Sequence, residues 1–160
     1  MKRSWMQWMS GAVLVMGAAV CGAQSAPIPR AHIYPPVEQA QTDIKAALLK
    51  AKQEHKRVIL DFGGDWCGDC QVLNYYFHQG PNQELLDKYY VLVDVNIGHI
   101  DQNLDLGQKY GVDLKHGVPA LSVVNPNGTV VYGQKNGEFE DMRHMQSSDA
   151  TLFLQTWKPR

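Results

Sequence analysis

The stretch Val58-Ile59-Leu60-Asp61-Phe62-Gly63-Gly64-Asp65-Trp66-Cys67-Gly68-Asp69-Cys70 decides the fold. It opens with a short apolar run of buried-strand length, which Gly63 and Gly64 break. Beyond them Cys70, Leu73 and Phe77 fall at helical spacing, so a helix is expected to start near Cys67. Two cysteines separated by two residues therefore sit at a strand-to-helix junction, where loops carry chemistry in sheets of this kind. Unpaired N–H groups and the dipole at a helix N-terminus favour a thiolate, which makes Cys67 the expected exposed nucleophile. Cys70, one turn later, is expected to be more buried and to attack a mixed disulfide formed at Cys67. Trp66 is placed to shield one side of the pair.

The elements on either side follow from spacing. Upstream, Ala40, Ile44, Ala47, Leu48 and Ala51 predict an amphipathic helix from Val37, with Glu38, Lys45, Lys50 and Lys52 facing water. Downstream, Gly80-Pro81-Asn82 ends the cysteine-bearing helix and opens another through Lys88. Tyr90 to Val95 reads as a second buried strand. A short helix from Leu104 to Tyr110 should stop at Gly111. Pro119–Val124 and Thr129–Tyr132 read as strands joined by the turn Asn125-Pro126-Asn127-Gly128. Ser147 or Ser148 is the expected cap of a last helix carrying Leu152, Phe153 and Trp157. The class is α/β, a central mixed sheet flanked by helices, with parallel helix-linked strands and a hairpin completing the sheet.

Composition bounds the function. The chain has 160 residues, enough for one domain with its own core, and a net charge of −1, which gives no field for gripping nucleic acid. Lys2 and Arg3 are followed by no charge until Arg30, and the gap holds the apolar run Gly11–Val20. That pattern predicts a signal peptide over residues 1–23, cut after Ala23, and an exported protein. The rivals are an uncleaved anchor and lipidation at Cys21. A membrane span needs about 20 apolar residues, and Gln7, Ser10 and Gln24 leave too few. Val20 is bulky where lipidation wants a small residue. Residues 24–37, with Pro27, Pro29, Pro35 and Pro36, are expected as an extended linker to a domain over 38–160. After cleavage Cys67 and Cys70 are the only cysteines, and an exporting route gives that pair a reason to oxidise.

Asp61-Phe62 through Trp66-Cys67-Gly68-Asp69-Cys70 resembles the active-site segment of the thioredoxin superfamily. Tyr110-Gly111-Val112 and Gly117-Val118-Pro119 resemble the segment before that family's cis-proline. With the element order, the likeness covers about residues 38 to 157. An exported chain of this pattern is similar to periplasmic thioredoxin-like proteins and to the C-terminal domain of DsbD-type reductases. The resemblance implies a thioredoxin fold and a thiol–disulfide oxidoreductase with no cofactor beyond the Cys67–Cys70 disulfide. It implies that Pro119 faces the cysteines in a cis-proline loop, that Val118 offers backbone hydrogen bonds to an extended substrate, and that Asp61 takes the proton from Cys70. The implied partners are protein disulfides and a separate electron donor, such as a membrane reductase.

Two departures from the family pattern stand out. Gly68-Asp69 replaces the usual Gly-Pro, and a carboxylate beside the thiols opposes thiolate formation, which predicts a more reducing couple. Asp94 stands where many thioredoxins carry lysine. Either it approaches Asp61, so that one of the two holds its proton to higher pH, or it faces solvent. Two other uses of the cysteines compete with exchange chemistry. One is a copper metallochaperone that adds Met142, His144 and Met145 to the thiols. The other is an interaction domain whose disulfide is structural. His78, His99 and His116 lack zinc-site spacing and read as surface or loop residues, so no metal is expected. Tyr75, Tyr76 and Phe77 read mainly as packing. The polar segment 133–147 is expected either to dock a partner or to be a solvated connection.

Overall fold

The computed structural model of the protein describes residue 28 and residues 30–160, so the expected leader, its Cys21 and the start of the linker lie outside the described residues. A short 3-10 turn leads into α1, Ala40–Glu54, which buries Ala40, Ile44, Ala47 and Ala51 at the predicted spacing. The helix stops at His55, whose backbone is left-handed and whose N–H returns to the Ala51 carbonyl. β1, Arg57–Gly63, follows at once and is buried from Val58 onward.

β1 sits in the middle of the sheet, which explains why its sequence is apolar on both faces. The strand order is β2-β1-β3-β4, with β2 spanning Tyr90–Asn96, β3 Ala120–Val124 and β4 Val130–Gly133. β1 and β2 run parallel, while β1–β3 and β3–β4 are antiparallel. Val58, Leu60 and Phe62 pack with α1 on one face. Ile59 packs on the other with Leu73 and Phe77 of α2, Gly68–Phe77, and with Phe153 and Leu154 of α5, Ser147–Thr156. The register sets Asp61 of β1 opposite Asp94 of β2, on the face of Ile59 and Leu92.

α3, Gly80–Tyr89, opens with Pro81 in its first turn, as the sequence predicts. Asn82 is fully buried there and donates to the carbonyls of Tyr76, 2.9 Å, and Ser147, 3.2 Å, tying the start of α3 to the end of α2 and the start of α5. α4, Leu104–Lys109, ends before Gly111, whose φ is 76°. The turn at 125–128 closes with the Gly128 N–H on Asn125 O, 2.8 Å.

Four expectations need correction. α5 is capped by Gln146 rather than by Ser147 or Ser148, and the Gln146 N–H is held by Asp149 Oδ2 at 2.8 Å. Pro119 and Thr129 lie just outside the strands assigned to them. Residues 30–36 form neither helix nor strand, yet they are not a free linker, because Tyr34 is buried in the core and Ile33 and Tyr34 are bonded to the first loop. Segment 133–147 is not a solvated connection either. Gln134, Phe139 and Met142 are buried, and the segment closes over α2. Among the described residues no helix is long and apolar enough to cross a membrane.

Candidate active site

After β1 the chain turns through Gly64-Asp65-Trp66 and enters α2 with Cys67 as its N-cap. Gly64 is required by the turn, because a Cβ there would lie 2.6 Å from the Trp66 indole nitrogen. That nitrogen donates to the Gly98 carbonyl at 2.6 Å, and the ring stacks on His99. Trp66 is therefore fixed beside the cysteines while remaining 40% exposed. Cys67 and Cys70 form a disulfide with Cα atoms 5.3 Å apart. The Cys67 sulfur accepts the Cys70 backbone N–H at 3.1 Å, the geometry in which a helix N-terminus stabilises a thiolate. Cys67 is not the exposed residue the sequence predicts: it is buried, 5% exposed, where the cis-proline loop covers it, and Cys70 behind it is completely enclosed.

Across from the sulfurs is the loop Gly117-Val118-Pro119, whose Val118–Pro119 bond is cis. The Val118 carbonyl oxygen is 3.5 Å from Cys67 Sγ. Gln134 clamps this loop from behind. Its side-chain amide donates to Pro119 O, 3.2 Å, and its carbonyl accepts from the Leu121 N–H, 3.2 Å. Gly117, with φ 95°, supplies the backbone turn before the valine.

Beneath Cys70 lies a buried carboxyl pair. Asp61 is 1% exposed, its Oδ2 accepts the Tyr34 hydroxyl at 3.0 Å, and among the described residues its Oδ1 has no hydrogen-bond partner. Burial holds the Asp61 carboxyl well above the usual carboxylate range, and the charge of Asp94 adds to this, against the Tyr34 bond. Asp94 is half-buried and is the register partner of Asp61, near enough for its charge to act on that carboxyl. Desolvation pushes it up to about 6, with His78 opposing and Asp65 reinforcing the rise. The two carboxyls titrate as a unit.

Asp69 does not sit beside the thiols as an uncompensated charge, which removes the sequence argument for a reducing couple from that residue. Arg143 grips it. The guanidinium Nε lies 3.0 and 3.1 Å from the two carboxylate oxygens, one terminal nitrogen lies 3.0 Å from Oδ2, and the Arg143 backbone N–H donates to Oδ1 at 2.9 Å. Arg143 also covers the outer side of Gly68, where a Cβ would be 3.9 Å from its side chain. Arg143, Gln134 and Tyr34 are the site residues that sequence reasoning missed. Each is brought in by a long-range contact and carries no local signature.

The donors of the copper reading are committed elsewhere. Met142 is fully buried in the core, and His144 is exposed and bonded to Asp141 at 2.6 Å. Among the described residues no group of three or more His, Cys, Asp or Glu side chains is gathered for a metal ion. His78 bonds the Asn74 carbonyl at 2.8 Å, His99 serves as the stacking partner of Trp66, and His116 lies 3.8 Å from Asp113. Phe77 is core, Tyr76 donates to Met145 O at 3.3 Å, and Tyr75 is exposed.

Known proteins match this arrangement. A family model described as thioredoxin-like matches residues 39–126. The thiol:disulfide interchange protein DsbD of Pseudomonas fluorescens is 26% identical over 121 residues, covering 74% of this chain and 19% of that protein. An H-type thioredoxin of Chlamydomonas reinhardtii is 35% identical over 51 residues, covering 32% of this chain and 45% of that one. The chain thus spans less than half the length of either curated relative. The crystal structure of a disulphide isomerase from Xylella fastidiosa superposes with a TM-score of 0.72 at 36% identity, covering 79% of this chain and 98% of that one.

Proposed function

The chain belongs to the thioredoxin-like family of thiol–disulfide oxidoreductases, and from that premise we propose that it is exported and reduces disulfides in protein substrates. The observation that carries the reading is the placement of Cys67. Its sulfur caps a helix N-terminus and lies beside the Val118 carbonyl, with Cys70 enclosed behind it and a buried carboxyl pair beneath.

In the proposed cycle an extended substrate segment pairs with the backbone of Val118 beside Pro119, flanked by Trp66. The Cys67 thiolate attacks one substrate sulfur and the other leaves as a thiolate. Cys70 then loses its proton to Asp61 and attacks Cys67 of the mixed disulfide, releasing the second substrate thiol. Two electrons pass to the substrate and the Cys67–Cys70 disulfide remains. A separate dithiol donor, such as a membrane reductase, restores the pair. The reducing direction is supported by the negative charge shared by Asp61 and Asp94 below the dithiol, since it opposes thiolate formation. Export is supported by Lys2, Arg3 and the apolar run that follows. A second reading, disulfide isomerisation, is favoured by the 36% identity to the Xylella isomerase structure. It uses the same first step, with a thiol of the substrate itself resolving the intermediate.

Cys70→Ser tests the proposal in the native compartment. The variant is expected to accumulate mixed disulfides through Cys67, visible as reducible adducts that vanish in a Cys67→Ser/Cys70→Ser double variant. No adducts, or the same adducts in the double variant, would refute exchange chemistry. Titration against glutathione then sorts the readings. A potential near −270 mV marks a reductase, and one near −180 mV marks an isomerase, on a scale where about 30 mV is tenfold.

A further inference from the structure

Tyr34 lies outside the matched family segment yet completes the site. The strap that carries it, Ala31–Tyr34, is laced to the active-site loop. Asp65 Oδ1 accepts the N–H groups of Ile33, 2.8 Å, and Tyr34, 3.1 Å, and Oδ2 bonds the His32 ring. Gln71 of α2 exchanges two hydrogen bonds with the backbone of Ala31, at 2.8 and 2.9 Å. These five polar contacts fix the strap against the active-site loop. Behind them the Tyr34 ring lies in the core, 1% exposed, and its hydroxyl donates to Asp61 Oδ2 at 3.0 Å.

Gly63 makes the approach possible. A Cβ at that position would lie 2.7 Å from Cys70 Sγ, 2.8 Å from Tyr34 Cζ and closer still to the Tyr34 hydroxyl oxygen. The phenol and the resolving sulfur therefore converge on one backbone position, one residue beyond Phe62 and two beyond Asp61. The groups around the hydroxyl are Asp61 from β1, Cys70 from α2, Asp65 from the loop and Asp94 from β2, with His78 facing Asp94 from the end of α2. Burial, with Asp61 next, holds the phenol well above its usual range, so it remains a donor at neutral pH.

We infer that Tyr34 is a positioning residue for the second half of the exchange: its hydroxyl holds the Asp61 carboxyl through Oδ2 and leaves the unpartnered Oδ1 to take the proton from Cys70. The inference rests on the reading that Cys70 resolves the mixed disulfide. In that step the Cys70 S–H proton goes to Asp61, a Cys70–Cys67 bond forms, and the bond from Cys67 to the substrate sulfur breaks. The substrate sulfur leaves with the electron pair and takes a proton from water, while Asp61 returns its own to solvent. The strap is thereby part of the catalytic unit.

The test is stopped-flow reaction of the reduced mature protein with an aromatic disulfide whose released thiolate absorbs visible light. The first release reports attack by Cys67 and the second reports resolution by Cys70. Tyr34→Phe keeps the ring and removes the hydroxyl. The first release is expected to stay within about twofold of wild type, and the second to slow roughly tenfold. Because the Tyr34 bond favours the ionised carboxyl, the pH profile of the second release should move to higher pH. Asp61→Asn should slow the same phase, and the combined variant should be no slower than Asp61→Asn alone. A second release with wild-type rate and profile in Tyr34→Phe overturns the inference. Should that variant not fold, an unchanged second release in Asp61→Asn overturns it equally, since Tyr34 then has nothing to act through. A wild-type protein that gives only a first release overturns the exchange reading itself.

Discussion

Replacing Asp94 with asparagine should stabilise the protein at neutral pH, with a pH dependence that identifies the cause. In the fold the Asp94 carboxyl rises from the ordinary 3.8 to about 6, first because it is desolvated. In the unfolded chain it returns to the ordinary value. Between the two the native state binds more protons than the unfolded state, so stability falls as pH rises through that window. Above it, a rise of this size corresponds to about 3 kcal/mol of penalty on the ionised native form. Asp94 is half-buried and shares its titration with Asp61, which brings the expected gain for Asp94→Asn to about 1–3 kcal/mol. Below the ordinary carboxylate value both proteins carry a neutral group there, and the difference should vanish. Urea unfolding of the oxidised protein at a series of pH values reads this directly, and keeping the disulfide intact removes thiol titration from the curve. Wild-type stability should decline from about pH 4 to pH 6 relative to the variant and then run parallel to it. A variant less stable at pH 7.5, or a difference constant across the series, would refute the reasoning.

Two more predictions concern the walls of the site. Gly63→Ala places a methyl against Cys70 and Tyr34 and should cost about 1–3 kcal/mol. Its midpoint in a thermal melt should fall by roughly 3–10 °C, whereas Gly68→Ala, whose Cβ meets nothing nearer than 3.9 Å, should melt at or above wild type; equal melts for the two would disprove the close approach at Gly63. Around Asp69 the two halves of the ion pair should act with opposite sign on the dithiol potential. Arg143→Met leaves a bare carboxylate and should make the couple more reducing, Asp69→Asn leaves a bare guanidinium and should make it less so, each by about 10–30 mV in glutathione titration. Shifts of the same sign would exclude this pair as the source of tuning.

The charges around the cysteines explain why their balance cannot be read from the motif. Asp69 is one residue from the helix start, and alone it would oppose a thiolate at Cys67. Arg143 cancels that charge from across the molecule. Among the described residues no lysine or arginine pairs with Asp61 or Asp94, and only His78 opposes the rise at Asp94. In the proposed cycle this moves the electrostatic burden from attack by Cys67 to resolution by Cys70, where proton transfer is needed.

What the sequence determined by itself was everything carried by short-range physics. The apolar run 58–62, the glycine break, the helical spacing of Cys70, Leu73 and Phe77, and the turn at 125–128 depend on residues a few positions apart, and the sheet, its mixed pairing and the cysteine pair at a helix start followed. Asp61 was legible only through the resemblance, as the acid at the end of the strand before the cysteine pair. The tertiary structure alone decided the partners. Tyr34 meets Asp61 across 27 positions, Asp69 meets Arg143 across 74, and Gln134 reaches back 15 to hold Pro119. A tyrosine among prolines, an arginine between two methionines and a glutamine after a strand look ordinary where they stand. Their roles come from desolvation and hydrogen bonding that exist only once the sheet has brought distant segments to within about 3 Å of each other.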